Sequence, residues 1–172
     1  MSTTAGGTPS PPSPRRSHAA RNIGVVLVVV LIVAASGLYL VLGGGAGMLG
    51  VGPAPHTVNI VNGVQTVNAG SYQSYQVTVP AGATKVSIQG TFTASGGPGN
   101  DVIVYVMNST QYVNWQNGHQ TASYYDSGRL TTMTFDATLP SGPGTYYLVY
   151  DNTFSLLAQK SVTTQVNLAY TA

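Results

Sequence analysis

The chain predicts an all-β fold, an antiparallel β-sandwich of jelly-roll type, preceded by one N-terminal transmembrane helix. Three observations predict it. Residues 22–42, NIGVVLVVVLIVAASGLYLVL, carry no charge and are almost wholly apolar. Beyond residue 57 the apolar positions recur every second residue, the pattern of half-buried strands. Breaks rich in Gly, Pro and Asn separate those runs at the spacing of a sandwich.

The elements follow in order. Residues 1–21 are rich in Ser, Thr, Pro and Gly and lack the apolar residues that offset chain entropy, so a disordered basic tail is expected. At about 1.5 Å per residue, a helix over residues 22–42 crosses the roughly 30 Å hydrocarbon core of a bilayer. Arg15, Arg16 and Arg21 precede it, and no charge follows until Lys85. The positive-inside rule then keeps the tail cytoplasmic and places the C-terminal domain outside the cell membrane. A cleaved signal peptide, cut before Ser36, is the competing reading. Signal cores run about 7–15 residues, and apolar character here continues to Leu42, which favours an uncleaved signal anchor. Residues 43–56 form a flexible Gly-rich linker ending in Pro53 and Pro55.

Residues 57–172 form the extracytoplasmic domain. Val58 to Val61 and Val64 to Val67 flank Asn62-Gly63, a two-residue hairpin signal. Tyr75, Val77 and Val79 alternate with polar residues, as do Val86, Ile88, Gly90 and Phe92. Residues 101–107, DVIVYVM, suit a central strand with both faces buried. Asn108-Ser109-Thr110 is a turn and an N-glycosylation sequon at Asn108. A short strand is expected over residues 112–115. Met133 to Leu139, Tyr146 to Tyr150 and Val162 to Tyr170 complete about eight or nine strands, with no helix among them.

Composition narrows the function. Charged residues are 6% of the chain, against about 25% in ordinary soluble proteins. Beyond Pro53 the charges are Asp101, Asp126, Asp136 and Asp151 against Lys85, Arg129 and Lys160. No basic stripe exists for nucleic acid. Cysteine is absent, which removes disulfides and thiolate catalysis. No His pair has metal-ligand spacing, no Asp-x-Asp-x-Asp run suits Ca²⁺, and no phosphate loop joins a strand to a helix. The domain is therefore expected to be non-catalytic and without metal or cofactor.

The stretch 111–129, QYVNWQNGHQTASYYDSGR, is the candidate binding segment. Tyr112, Asn114, Trp115, His119, Tyr124, Asp126 and Arg129 place aromatic faces beside amide and charged donors, as a sugar or peptide site on a sandwich loop requires. The same aromatics also suit the core of a sandwich.

Residues 144–162 read GTYYLVYDNTFSLLAQKSV. Gly144-Thr145-Tyr146, an apolar strand, Asp151-Asn152-Thr153-Phe154-Ser155 and Lys160 resemble the end of GOLD (Golgi dynamics) domains. That resemblance implies a β-sandwich that binds proteins. The paired cysteines, coiled coil and C-terminal span of the GOLD cargo receptors are missing, so an anchored prokaryotic surface protein is expected, not a trafficking receptor. Turn chemistry also explains Asp151-Asn152, and Lys160 is expected either to pair with Asp151 or to be solvated. Taken together, the sequence predicts a single-pass anchored interaction module whose partners are the membrane and a protein or glycan of the envelope. A carbohydrate-binding module and a structural subunit of an envelope assembly are the alternatives.

Overall fold

The computed structural model describes residues 26–30 and 52–172. In chain order its elements are β1 (Val26–Val30), β2 (Pro55–Val67), β3 (Tyr72–Val79), β4 (Thr84–Ser95), β5 (Val102–Asn108), α1 (Ser109–Gln116), β6 (Tyr125–Leu130), β7 (Thr132–Thr138), β8 (Gly144–Asp151) and β9 (Lys160–Thr171). They form a five-stranded sheet, β1-β3-β8-β5-β6, and a four-stranded sheet, β2-β9-β4-β7. All pairings are antiparallel except that of β1 with β3. The chain is thus an all-β sandwich.

Alternation sets the core. Tyr75, Val77, Val104, Val106, Leu148 and Tyr150 of one sheet meet Ile88, Phe92, Val162, Val166 and Leu168 of the other in a single buried cluster. Two polar ties cross the gap. Tyr150 and Thr164 share a hydrogen bond of 2.7 Å. The Tyr75 hydroxyl donates to Gln65 Oε1 (2.7 Å) and accepts from Gln73 Nε2 (2.6 Å). Burial pushes the Tyr75 hydroxyl up to about 12, so it remains a donor at neutral pH.

Three expectations are corrected. Asn62-Gly63 makes no hairpin: β2 runs straight through it, with Asn62 opposite Gln165 and Gly63 opposite Thr164. The long partner β9 pairs with both halves, with one register irregularity between Asn59 and Val61, and this outweighs the local turn preference. Residues 112–115 lie in helix α1, not a strand. The edge strand β6 lies inside the stretch read as a loop. Its sequence YDSGRL is mostly exposed and carries no alternation to detect. Of the helix expected over residues 22–42, only Val26–Val30 is described, as an extended strand parallel to Gln73–Val77. β-Branched valines favour that state, and β3 offers it an open edge of backbone partners. The rest of that segment lies outside the described residues, as do the tail and most of the linker. Among the described residues no helix is long and apolar enough to cross a membrane.

The domain has two ends. At the near end, Ala54 N–H donates to the Ala172 carbonyl (2.8 Å), which ties the start of β2 to the end of β9. At the far end the β2–β3, β4–β5 and β8–β9 loops converge, because Val67 pairs with Lys160, Ser95 with Ser161 and Tyr72 with Asp151.

Candidate functional site

Helix α1 builds the first candidate surface. Asn108 caps it: Asn108 Oδ1 accepts from the Gln111 N–H, and Gln111 Oε1 accepts from the Asn108 N–H, both at 2.9 Å. This reciprocal pair satisfies helix-end donors and fixes the start of the helix. The sequon asparagine is therefore half-buried and engaged in the cap. Asn108→Ala is expected to cost about 1 kcal/mol and to shift the fluorescence of Trp115, the single tryptophan, to the red. Thr110→Ala removes the sequon and leaves the cap, which separates the two roles in an intact-mass measurement.

The capped helix lies on the outer face of the five-stranded sheet. Tyr112 stacks on Tyr147 at 4.0 Å and shares a 2.9 Å hydrogen bond with Ser74. Trp115 stands edge-on to Tyr72 at 4.8 Å and tilted to Tyr105 at 5.8 Å. Gln116 Nε2 donates to the Tyr72 hydroxyl at 2.6 Å. Tyr72, Tyr112, Met107 and Val149 thus form a second, smaller core under the helix. Burial pushes the Tyr105 hydroxyl up to about 12, and the charges of Asp126 and Asp151 add to the rise; it is a neutral phenol at physiological pH.

The predicted binding residues do not converge. Tyr112 is buried and Trp115 half-buried in this packing. The Asn114 carbonyl accepts from the His119 N–H (2.9 Å), which closes the loop after α1 and leaves the His119 side chain exposed. Tyr124 packs edge-on to Tyr146 of the main core. Asp126 is exposed on β6, where its Oδ1 accepts from the Gly128 N–H (2.8 Å). Arg129 belongs to the far end.

The motif residues of the stretch 144–162 divide between the two ends. Gly144 opens β8 at the near end, where a side chain would strike the buried Tyr146 ring. The other motif residues organise the far end. Asn152 is fully buried, and its Nδ2 donates to the carbonyls of Val67, Asn68 and Ala158 at 3.2, 3.1 and 2.9 Å. Ser155 Oγ donates to the Ala158 carbonyl (3.0 Å), and Asp151 Oδ1 accepts from the Thr153 N–H (2.7 Å). One amide side chain thereby ties the β8–β9 loop to the end of β2.

Lys160 pairs with Asp101, and it is buried rather than solvated. Its Nζ donates to Asp101 Oδ1 at 3.3 Å and lies 3.5 Å from the Pro98 carbonyl. Arg129 completes the cluster, with Nη2 at 2.7 Å from Asp101 Oδ2 and its guanidinium over the Phe154 ring. Desolvation pushes the Asp101 carboxyl up, but hydrogen bonds from Arg129 and Lys160 outweigh it and hold the group below its usual value. The loop these contacts pin exposes Leu156 and Leu157, at 86% and 97%.

A third surface is a shallow trough of about 580 Å³ on the outer face of the four-stranded sheet. Gln89 and Thr91 of β4, Thr134 and Asp136 of β7, and Gln165 and Asn167 of β9 line it, with Gly90 and Phe135 at its floor. Sequence reasoning missed both this trough and the leucine pair. The outward-facing polar positions were legible one strand at a time, but only the strand order brings them together. Among the described residues no three His, Cys, Asp or Glu side chains are grouped to hold a metal ion. No protein-family model matches the chain, and no curated protein matches it.

Proposed function

We propose that the chain is a single-pass, membrane-anchored, non-catalytic interaction module with a GOLD-like sandwich outside the cell. The uncharged segment 22–42, basic on its N-terminal side alone, supports the anchor. In hydrocarbon the same run must satisfy its backbone groups internally, which requires a helix. One observation carries the binding role. Leu156 and Leu157 stand in solvent on a loop that Asn152 and Ser155 hold fixed, at the end opposite the paired residues Ala54 and Ala172. An ordered pair of exposed leucines enters an apolar pocket of a protein partner with little loss of loop entropy.

Protease added to intact cells is expected to remove residues 57–172 and spare the tail; protection of the domain would reverse the topology. A photo-crosslinking residue at Leu157 is expected to give a discrete protein adduct in intact cells. The same probe at Lys85, exposed at the near end, is expected to give none. Equal adducts from both positions would remove the loop from the binding surface.

A further inference from the structure

The outer face of the four-stranded sheet has a chemistry distinct from the leucine tip. Register places Gln89 between Asp136 and Asn167, and Thr91 between Thr134 and Gln165. Strand spacing is about 4.8 Å and like-facing residues along a strand lie about 6.7 Å apart, so these six side chains form a compact grid of amides and hydroxyls. Asn59 Nδ2 donates to Asn167 Oδ1 at 3.1 Å and extends the grid onto β2. Gly90 lies beneath it. A Cβ there would come within 2.7 Å of Val166 Cα, so the missing side chain lets β4 and β9 approach closely at the trough.

The side chains of Gln89, Gln165 and Asp136 are exposed and make no hydrogen bond to the described residues. Asp136 is the single charge in the trough, and none of Lys85, Arg129 and Lys160 lines it. An anionic polymer would meet no cation there, and the one apolar side chain in the lining, Phe135, is buried, so an apolar peptide side chain would gain little contact. Amides each offer two donors and an acceptor, and a carboxylate accepts from paired hydroxyls. That set matches the vicinal hydroxyls of a sugar chain.

We propose that this trough binds a neutral oligosaccharide, laid across β7, β4 and β9, with Gln89 and Gln165 as its principal hydrogen-bonding side chains. The proposal goes beyond the anchored interaction module and does not depend on the leucine tip. The test uses the full chain in phosphatidylcholine nanodiscs, free of glycoside detergent. Cello-, xylo-, manno- and malto-oligosaccharides are titrated by calorimetry beside polygalacturonate. At least one neutral oligosaccharide is expected to bind in the micromolar to millimolar range, with polygalacturonate at least tenfold weaker. The variant Gln89→Ala/Gln165→Ala is expected to weaken binding at least tenfold with an unchanged melting point, because both side chains are exposed. Leu156→Ser/Leu157→Ser is expected to leave sugar binding intact. No binding by any neutral sugar, preference for polygalacturonate, or binding indifferent to the glutamine changes would overturn the assignment. Loss of the Leu157 crosslink alone would leave it standing.

Discussion

Replacing Asp101 with asparagine lowers the stability of the domain by about 3–5 kcal/mol, the cost of breaking a buried ion pair from one side. The reason is Lys160. Its side chain is 1% exposed, and Asp101 is its ion-pair partner. Asp101→Asn removes the carboxylate from a buried ammonium that also donates to the Pro98 carbonyl at 3.5 Å. The melting point, followed by circular dichroism at pH 7, is expected to fall by about 10 °C or more. Arg129→Gln is expected to cost about 1 kcal/mol or less, because the Arg129 side chain is 56% exposed and water screens its pair. A near-equal loss from both variants would mean that Lys160 carries little of the effect.

The pH dependence follows from the same contacts. The folded carboxyl of Asp101 is held below its usual value. Its contribution is therefore fully present above the unfolded value of about 3.9 and is lost as the pH falls through the folded one. The gap in melting point between wild type and Asp101→Asn is expected to stay constant from pH 7 to about 5 and to close in stronger acid. A gap that persisted unchanged at pH 2 would contradict the lowered carboxyl.

Gly90→Ala is the second large effect, about 3 kcal/mol, at the upper end of overpacking costs. The new methyl would meet the Gln165 carbonyl, with Val166 Cα at 2.7 Å and its Cγ2 at 2.8 Å. Two of these obstacles are backbone of β9, so no side-chain rotation relieves them. β4 and β9 must separate in the middle of their sheet, where Gly90 is also paired with Phe135 of β7. Gly52→Ala is the control, since no atom lies within 4 Å of a Cβ there. Thermal melts are expected to show a drop of about 10 °C for the first and less than about 2 °C for the second. An unchanged Gly90→Ala melt would mean that the two strands part at little cost.

The sequence by itself determined the all-β class, the strands β3, β4, β5, β7, β8 and β9, and the inward faces of most of them. Alternation is a local signal, and a buried face imposes it residue by residue on the strands that line the core. It also showed the shortage of charge. Tertiary structure decided what no local signal holds. The partner strand β9 drew Asn62-Gly63 into one long β2, because a ladder on both sides of the pair outweighs a two-residue turn preference. The Asn108–Gln111 cap turned residues 109–116 into a helix whose aromatics cover the sheet, so Tyr112 and Trp115 are engaged in packing. Lys160 found Asp101, 59 residues away, while Asp151 turned to its own loop. The six trough residues come from three strands and become neighbours only through the order β9-β4-β7. Contacts between distant residues depend on register and strand order, and those are set by how two whole sheets close over a shared core.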